Sequence, residues 1–184
     1  MAIADLLKPT GVSNPGNGGG FGTEYYFAPK DALTTQPVRD TTDKSKIVAD
    51  LAFATGKRLI KLYATKETLE PVCKKAKGEN KDNFGYEVSI KGSRPGVDAE
   101  AVKFITENDG AEGYIIIKKT DPSGVETMFL MGTIANPIVL DDFEMKFGTS
   151  ITNSTATIPT FTTVQEMPLA VYEGDLQLTE VVGP

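Results

Sequence analysis

The sequence predicts a mainly β fold: antiparallel sheets in a β-sandwich or barrel-like arrangement, with one flanking α-helix at about residues 98–108, a long mid-chain loop and an extended N-terminal arm. Three observations carry this expectation. The apolar runs are short, rich in Val, Ile, Thr and Phe, and broken by Pro and Gly. One stretch alone combines helical spacing with a capping residue. The links between successive runs are mostly short, which favours antiparallel neighbours.

Residues 1–22 read as the arm. "SNPGNGGGFG" (Ser13 to Gly22) is too glycine-rich for a helix or packed strand. Its spacing does not complete a G-x-G-x-x-G phosphate loop, and no strand precedes it. "TEYYFAPK" (Thr23 to Lys30) is a first strand stopped by Pro29. Residues 31–45 are polar and irregular. "KIVADLAFATGKRLIKLYAT" (Lys46 to Thr65) reads as two strands turning at Gly56, the second being the better one. Residues 66–82 read as a charged loop. It is near the length at which structureless loops are often functional.

"FGYEVSIKGS" (Phe84 to Ser93) alternates cleanly, with Tyr86, Val88 and Ile90 on one face. In "VDAEAVKFITENDG", Asp98 suits the N-cap, and Val97 and Val102 suit a hydrophobic staple. Ala101, Val102 and Ile105 give an apolar stripe, and Gly110 suits the stop. "GYIIIKKTDPSGVETMFLMG" (Gly113 to Gly132) is a hairpin turning at Asp121-Pro122-Ser123-Gly124. Ile115, Ile116 and Ile117 are consecutive, so this strand is expected to be covered on both faces. The helix and an opposing sheet can supply both covers, or another copy of the chain can complete the sheet. Residues 136–148, 149–163 and 167–174 add further strands. The single β-rich domain therefore spans 23–174, followed by a polar tail at 175–184.

Composition bounds the chemistry. The 184 residues include no His and no Trp, one Cys and a net charge of −6. The lack of His removes Ser-His-Asp and Cys-His catalysis and most zinc sites, so no enzyme, cofactor or metal site is expected. "ENDGAEG" does not place calcium-loop ligands correctly. Cys73 is expected to be a half-buried packing residue of a protein made in a reducing compartment. No signal peptide or membrane-crossing run is expected. The lysines of residues 66–83 are nearly balanced by acids and lack interleaved aromatics, so no nucleic-acid site is expected. Asp141, Asp142 and Glu144 form an acidic group, but adjacent strand residues face opposite sides.

The order of elements from about residue 84 to 172 resembles the tail tube (major tail) proteins of tailed bacteriophages, most closely those of phages infecting Bacteroidetes-type hosts. The likeness rests on the helix, then "YIIIKKTDPSGVETMFLMGT", then Thr-bearing strands. The matching residues are Tyr114 to Lys118, Gly124, Phe129 to Gly132 and the segment Phe143 to Phe161. The first 83 residues match in layout only. The resemblance implies a virion structural protein, made in the bacterial host cytoplasm, whose copies form rings, usually hexameric. Stacked rings form a tube through which genomic DNA passes without specific binding. Implied partners are further copies and other phage tail proteins, with no membrane. The runner-up reading is another virion structural protein, such as a capsid decoration or head–tail connector protein. On the tube reading, Ile3, Leu6, Leu7, Phe21, Leu69, Val72, Lys74 and Lys75 are candidate subunit-interface residues. Asp141, Asp142 and Glu144 are candidate lumen residues.

Overall fold

The computed structural model of the protein describes residues 20–77, 84–120, 124–148 and 154–182. Its strands are β1 (Gly20–Pro29), β2 (Leu33–Thr35), β3 (Lys46–Ile47), β4 (Ala52–Phe53), β5 (Ile60–Tyr63), β6 (Glu70–Lys77), β7 (Phe84–Lys91) and β8 (Arg94–Pro95). After the helix α1 (Ala99–Asn108) come β9 (Glu112–Thr120), β10 (Glu126–Met131), β11 (Ile138–Lys146), β12 (Ala156–Gln165) and β13 (Ala170–Tyr172). All pairings are antiparallel except that of β13 with β3.

β9 organises the molecule. It pairs with β1 on one side and β10 on the other, with Ile116 opposite Tyr26 and Leu130. β5 extends this sheet beyond β1, and β13 and β3 extend it beyond β10. At its start β9 changes partner: Gly113 lies opposite Pro29 of β1 and Ile138 of β11. From that corner a second sheet continues as β11, β12, β7 and β6.

The consecutive isoleucines serve two cores. Ile115 and Ile117 join Tyr25, Phe27, Leu62, Val88, Ile90, Leu140 and Phe161, so the two sheets face each other across this cluster. Helix α1 adds Ala101, Phe104 and Ile105 to the same cluster. Tyr114 and Ile116 point the other way, against Leu33, Ile47, Leu51, Phe53, Leu59, Ala170 and Tyr172. One chain therefore covers both faces of β9. The second cover comes from residues 31–59 and the C-terminal segment, a role the polar composition of residues 31–45 concealed. Strands form on both sides of Gly56 as expected in residues 46–65, but they do not pair with each other. β4 pairs with β2 and β5 with β1, with Gly56 turning between them at φ +73°.

Helix α1 begins as expected: the Asp98 carboxylate accepts from the Ala101 amide at 2.9 Å, and Gly110 beyond its end adopts φ +66°. The stripe differs by one residue. Val102 is exposed and Phe104 is fully buried. Arg94 is buried beneath the cap and donates to Asp98 at 2.8 Å.

The charged loop expected at 66–82 is a strand over most of its described length. β6 pairs with β7 through eight residue positions, from Glu70–Lys91 to Lys77–Phe84. It was hidden because neither core includes a β6 residue, so it has no apolar face to mark it. For the same reason Cys73 is exposed, not half-buried. The arm is shortened, since β1 starts at Gly20. The tail is docked through its described part: the amides of Leu59 and Gly56 donate to the carbonyls of Gln177 and Val181 at 3.0 and 2.8 Å. Leu176 and Val181 pack against the second core.

Candidate assembly surface

In antiparallel sheets, directly paired residues point to the same side. Leu140, Phe161 and Ile90 lie in adjoining register across β11, β12 and β7, and all three face the core. Their sequence neighbours therefore form the opposite, outward face of the second sheet. Val72, Ser89 and Thr162 form one row of it, and Glu70, Lys91, Thr160 and Asp142 form another. None of these residues is buried.

Cross-strand ion pairs order this face. Lys74 meets Glu87 at 2.7 Å, and Lys91 meets Glu70 at 3.0 Å. Within β11, Lys146 meets Glu144 at 3.3 Å. These groups are well exposed, so each pair adds little stability and acts mainly on alignment.

The acidic group does not split between faces as simple alternation predicts. A register shift between Leu140 and Asp142 makes Asp141 an extra residue in β11. The Thr162 hydroxyl donates to Asp141 at 3.0 Å, which holds that carboxylate on the outward side beside Asp142 and Glu144. Asp142 accepts from the Phe143 amide at 2.8 Å. The outward face thus carries Glu70, Glu87, Asp141, Asp142 and Glu144 against Lys74, Lys91 and Lys146. It is acidic on balance. No group of side chains among the described residues is arranged to hold a metal ion.

Both sides of this four-stranded sheet end in strands. β6 is last in the order. β11 meets β9 only at Ile138 and Val139, with Leu140 bonded to Gly110 and Ala111. Beyond Leu140 no described strand lies against its second side. Phe143 there is 40% exposed, and Phe147 just after the strand is 71% exposed.

The sequence-derived candidates divide accordingly. Val72, Lys74 and Lys75 stand on β6, exposed at one end of the sheet, and Asp141, Asp142 and Glu144 stand on β11 at the other. Leu69 is corrected: it is 8% exposed and belongs to the chain's own core. Phe21 is a half-buried residue of β1, paired with Lys119 and packed against that core. Ile3, Leu6 and Leu7 lie outside the described residues. Sequence reasoning missed Glu70, Glu87, Lys91 and Lys146. Their signal was opposite charges four residues apart, Glu70 and Lys74, Glu87 and Lys91, Asp142 and Lys146, whose cross-strand pairing is legible only once residues 70–77 are read as a strand.

An open groove of about 680 Å³ lies on the first sheet, lined by Lys118, Glu126, Met128, Tyr172 and Leu178 among others, and touches neither β6 nor β11. No helix of the described residues is long and apolar enough to cross a membrane. Compared with protein-family models, curated proteins and solved structures, the chain matches none of them significantly.

Proposed function

We propose that this protein is a self-assembling structural subunit whose four-stranded sheets join side to side into a ring, and that the rings stack into the tail tube of a bacteriophage virion. The observation that carries the reading is the sheet β11-β12-β7-β6: among the described residues, β6 has no neighbour on its outer side, and β11 leaves β9 after Val139 and has no strand against its second side beyond Leu140. Open strand edges are templates for pairing with another chain; the lysines and Pro71 of β6 blunt its edge toward indiscriminate pairing and leave it to a partner of complementary charge. Four strands of alternating direction can be followed by four more with the alternation unbroken. A repeating junction between copies is then antiparallel, like the pairs within each copy.

The outward face suits a DNA conduit. It is exposed, regular and acidic on balance, so it repels phosphate and lets a duplex slide. The element order supports the same reading through its likeness to tail tube proteins. Other tail proteins are the further partners, as the ends of such a tube require. The alternative, a capsid decoration or connector protein, differs in the form of assembly.

Negative-stain electron microscopy of the purified chain over a concentration series tests the reading. The expected result is stacked rings or hollow tubes at high concentration. Single small particles at every concentration would sink it, and isolated closed rings that never stack would favour a connector.

A further inference from the structure

We infer that copies join head to tail, β6 of one copy against β11 of the next, in a register set by charge that places Lys74 opposite Asp142 and Glu70 opposite Lys146. This rests on the self-assembly reading above and adds which edges meet, in what order and why.

The two terminal strands carry opposite charge. β6 holds Lys74, Lys75 and Lys77 against Glu70, and β11 holds Asp141, Asp142 and Glu144 against Lys146. Joined antiparallel, they continue the charge alternation already present inside each copy. The row Glu87–Lys74 gains Asp142 of the next copy, and the row Lys91–Glu70 gains Lys146 of the next copy. All of these side chains share the outward face, so the match respects the pleat as well as the charge.

Neighbouring registers fare worse. A slip of two residues one way sets Glu70 opposite Glu144, like against like. A slip the other way sets Lys74 opposite Glu144 but carries Glu70 past the end of β11, to Gly148. The backbone ladder supplies adhesion in any of these registers, and the charges choose among them. In the matched register, Cys73 and Phe143 lie opposite each other on the inner side. Both are exposed in the single chain.

Mixing of charge variants provides the test. K74E and D142K, each alone, set like charges opposite at every junction. Each is expected to raise the concentration for half-assembly by about tenfold or more. A one-to-one mixture restores an opposite pair at every junction between unlike copies, so assembly returns to near the wild-type concentration in strictly alternating order. Loss of the internal Lys74–Glu87 pair is present in the mixture too, so a merely structural effect is not rescued. Circular dichroism establishes that each variant is folded. A second measurement uses Phe143→Cys with the native Cys73: mild oxidation should give a ladder of covalently linked copies, abolished by Cys73→Ser.

Folded variants that assemble like the wild type, or a mixture that fails to recover, overturn this junction while leaving self-assembly standing. A dimer as the end product overturns it as well, because head-to-tail pairing does not stop at two. A wild-type chain that never associates overturns both readings.

Discussion

Gly113 shows how one residue holds the fold's geometry. A Cβ added there would lie 2.2 Å from the Ala28 carbonyl oxygen and 2.6 Å from the Phe27 ring. That contact is with backbone at the corner shared by both sheets, so it has little room to relax. Gly113→Ala is expected to cost about 3 kcal/mol, at the upper end for core overpacking, measured by urea unfolding. Tyr25 gives the opposite sign. It is fully buried, its hydroxyl has no hydrogen-bond partner among the described residues, and burial pushes its pKa far above the ordinary value. Tyr25→Phe removes an unsatisfied polar atom and is expected to stabilise the chain by about 1 kcal/mol. Asp98 carries a pH signature. The hydrogen bond from Arg94 and those from backbone amides hold its pKa below 3.8, against opposing desolvation. A depressed folded pKa stabilises above the unfolded value, and the gain is lost as pH falls through the folded one. Asp98→Asn keeps a capping oxygen but not the charge. The stability gap between wild type and variant should therefore be full at pH 6 and close as the pH drops below about 4.

At the scale of elements, β9 and β6 are opposites. β9 has Tyr114 to Ile117 buried on both faces, so Ile116→Asp leaves an uncompensated charge in the second core. The expected loss is about 4 kcal/mol or more, enough to unfold a marginal domain, and is read as lost near-ultraviolet dichroism. Substitution of Val72 by Thr on β6 should change stability by less than about 0.5 kcal/mol, because this side chain touches neither core. The same contrast explains what was legible in the sequence. The β9–β10 hairpin, β7 and α1 each announce themselves by burial, through three isoleucines, strict alternation or a cap. β6 is held by a ladder and ion pairs to one neighbour, and such support leaves no hydrophobic period. The covering segment at residues 31–59 was also illegible, since Leu33, Ile47, Leu51, Phe53 and Leu59 follow no regular spacing. Of the candidate surface, Val72, Lys74 and the acids of β11 were visible as residues. That they end the same sheet was not, because it depends on pairings between strands distant in sequence and on the bulge at Asp141.

For the whole molecule, electrostatics acts at two ranges. A net charge of −6 makes copies repel at a distance, while at the proposed junction the oppositely charged ends of the second sheet attract locally. Salt weakens both, so the direction of the total effect on wild-type assembly is not diagnostic. The difference between wild type and D142K is diagnostic, because that variant brings the net charge from −6 to −4 and so weakens long-range repulsion, leaving the junction as the source of any lost assembly. Raising salt from about 0.1 to 1 M shortens the screening length from about 10 to 3 Å. The gap in half-assembly concentration between the two chains should then narrow, measurable by light scattering.

The four-strand width of the second sheet has one further consequence, a matter of counting. Strands closed into a barrel fix its girth. Eight or so leave only enough interior for side chains, whereas about sixteen already enclose water. Two copies of a four-stranded sheet reach only the first number, and four copies reach the second. Any larger closed ring of this chain has a bore by arithmetic alone, without a residue selected to keep it open. The side chains of Asp142, Glu144 and Thr160 then decide only what that bore tolerates.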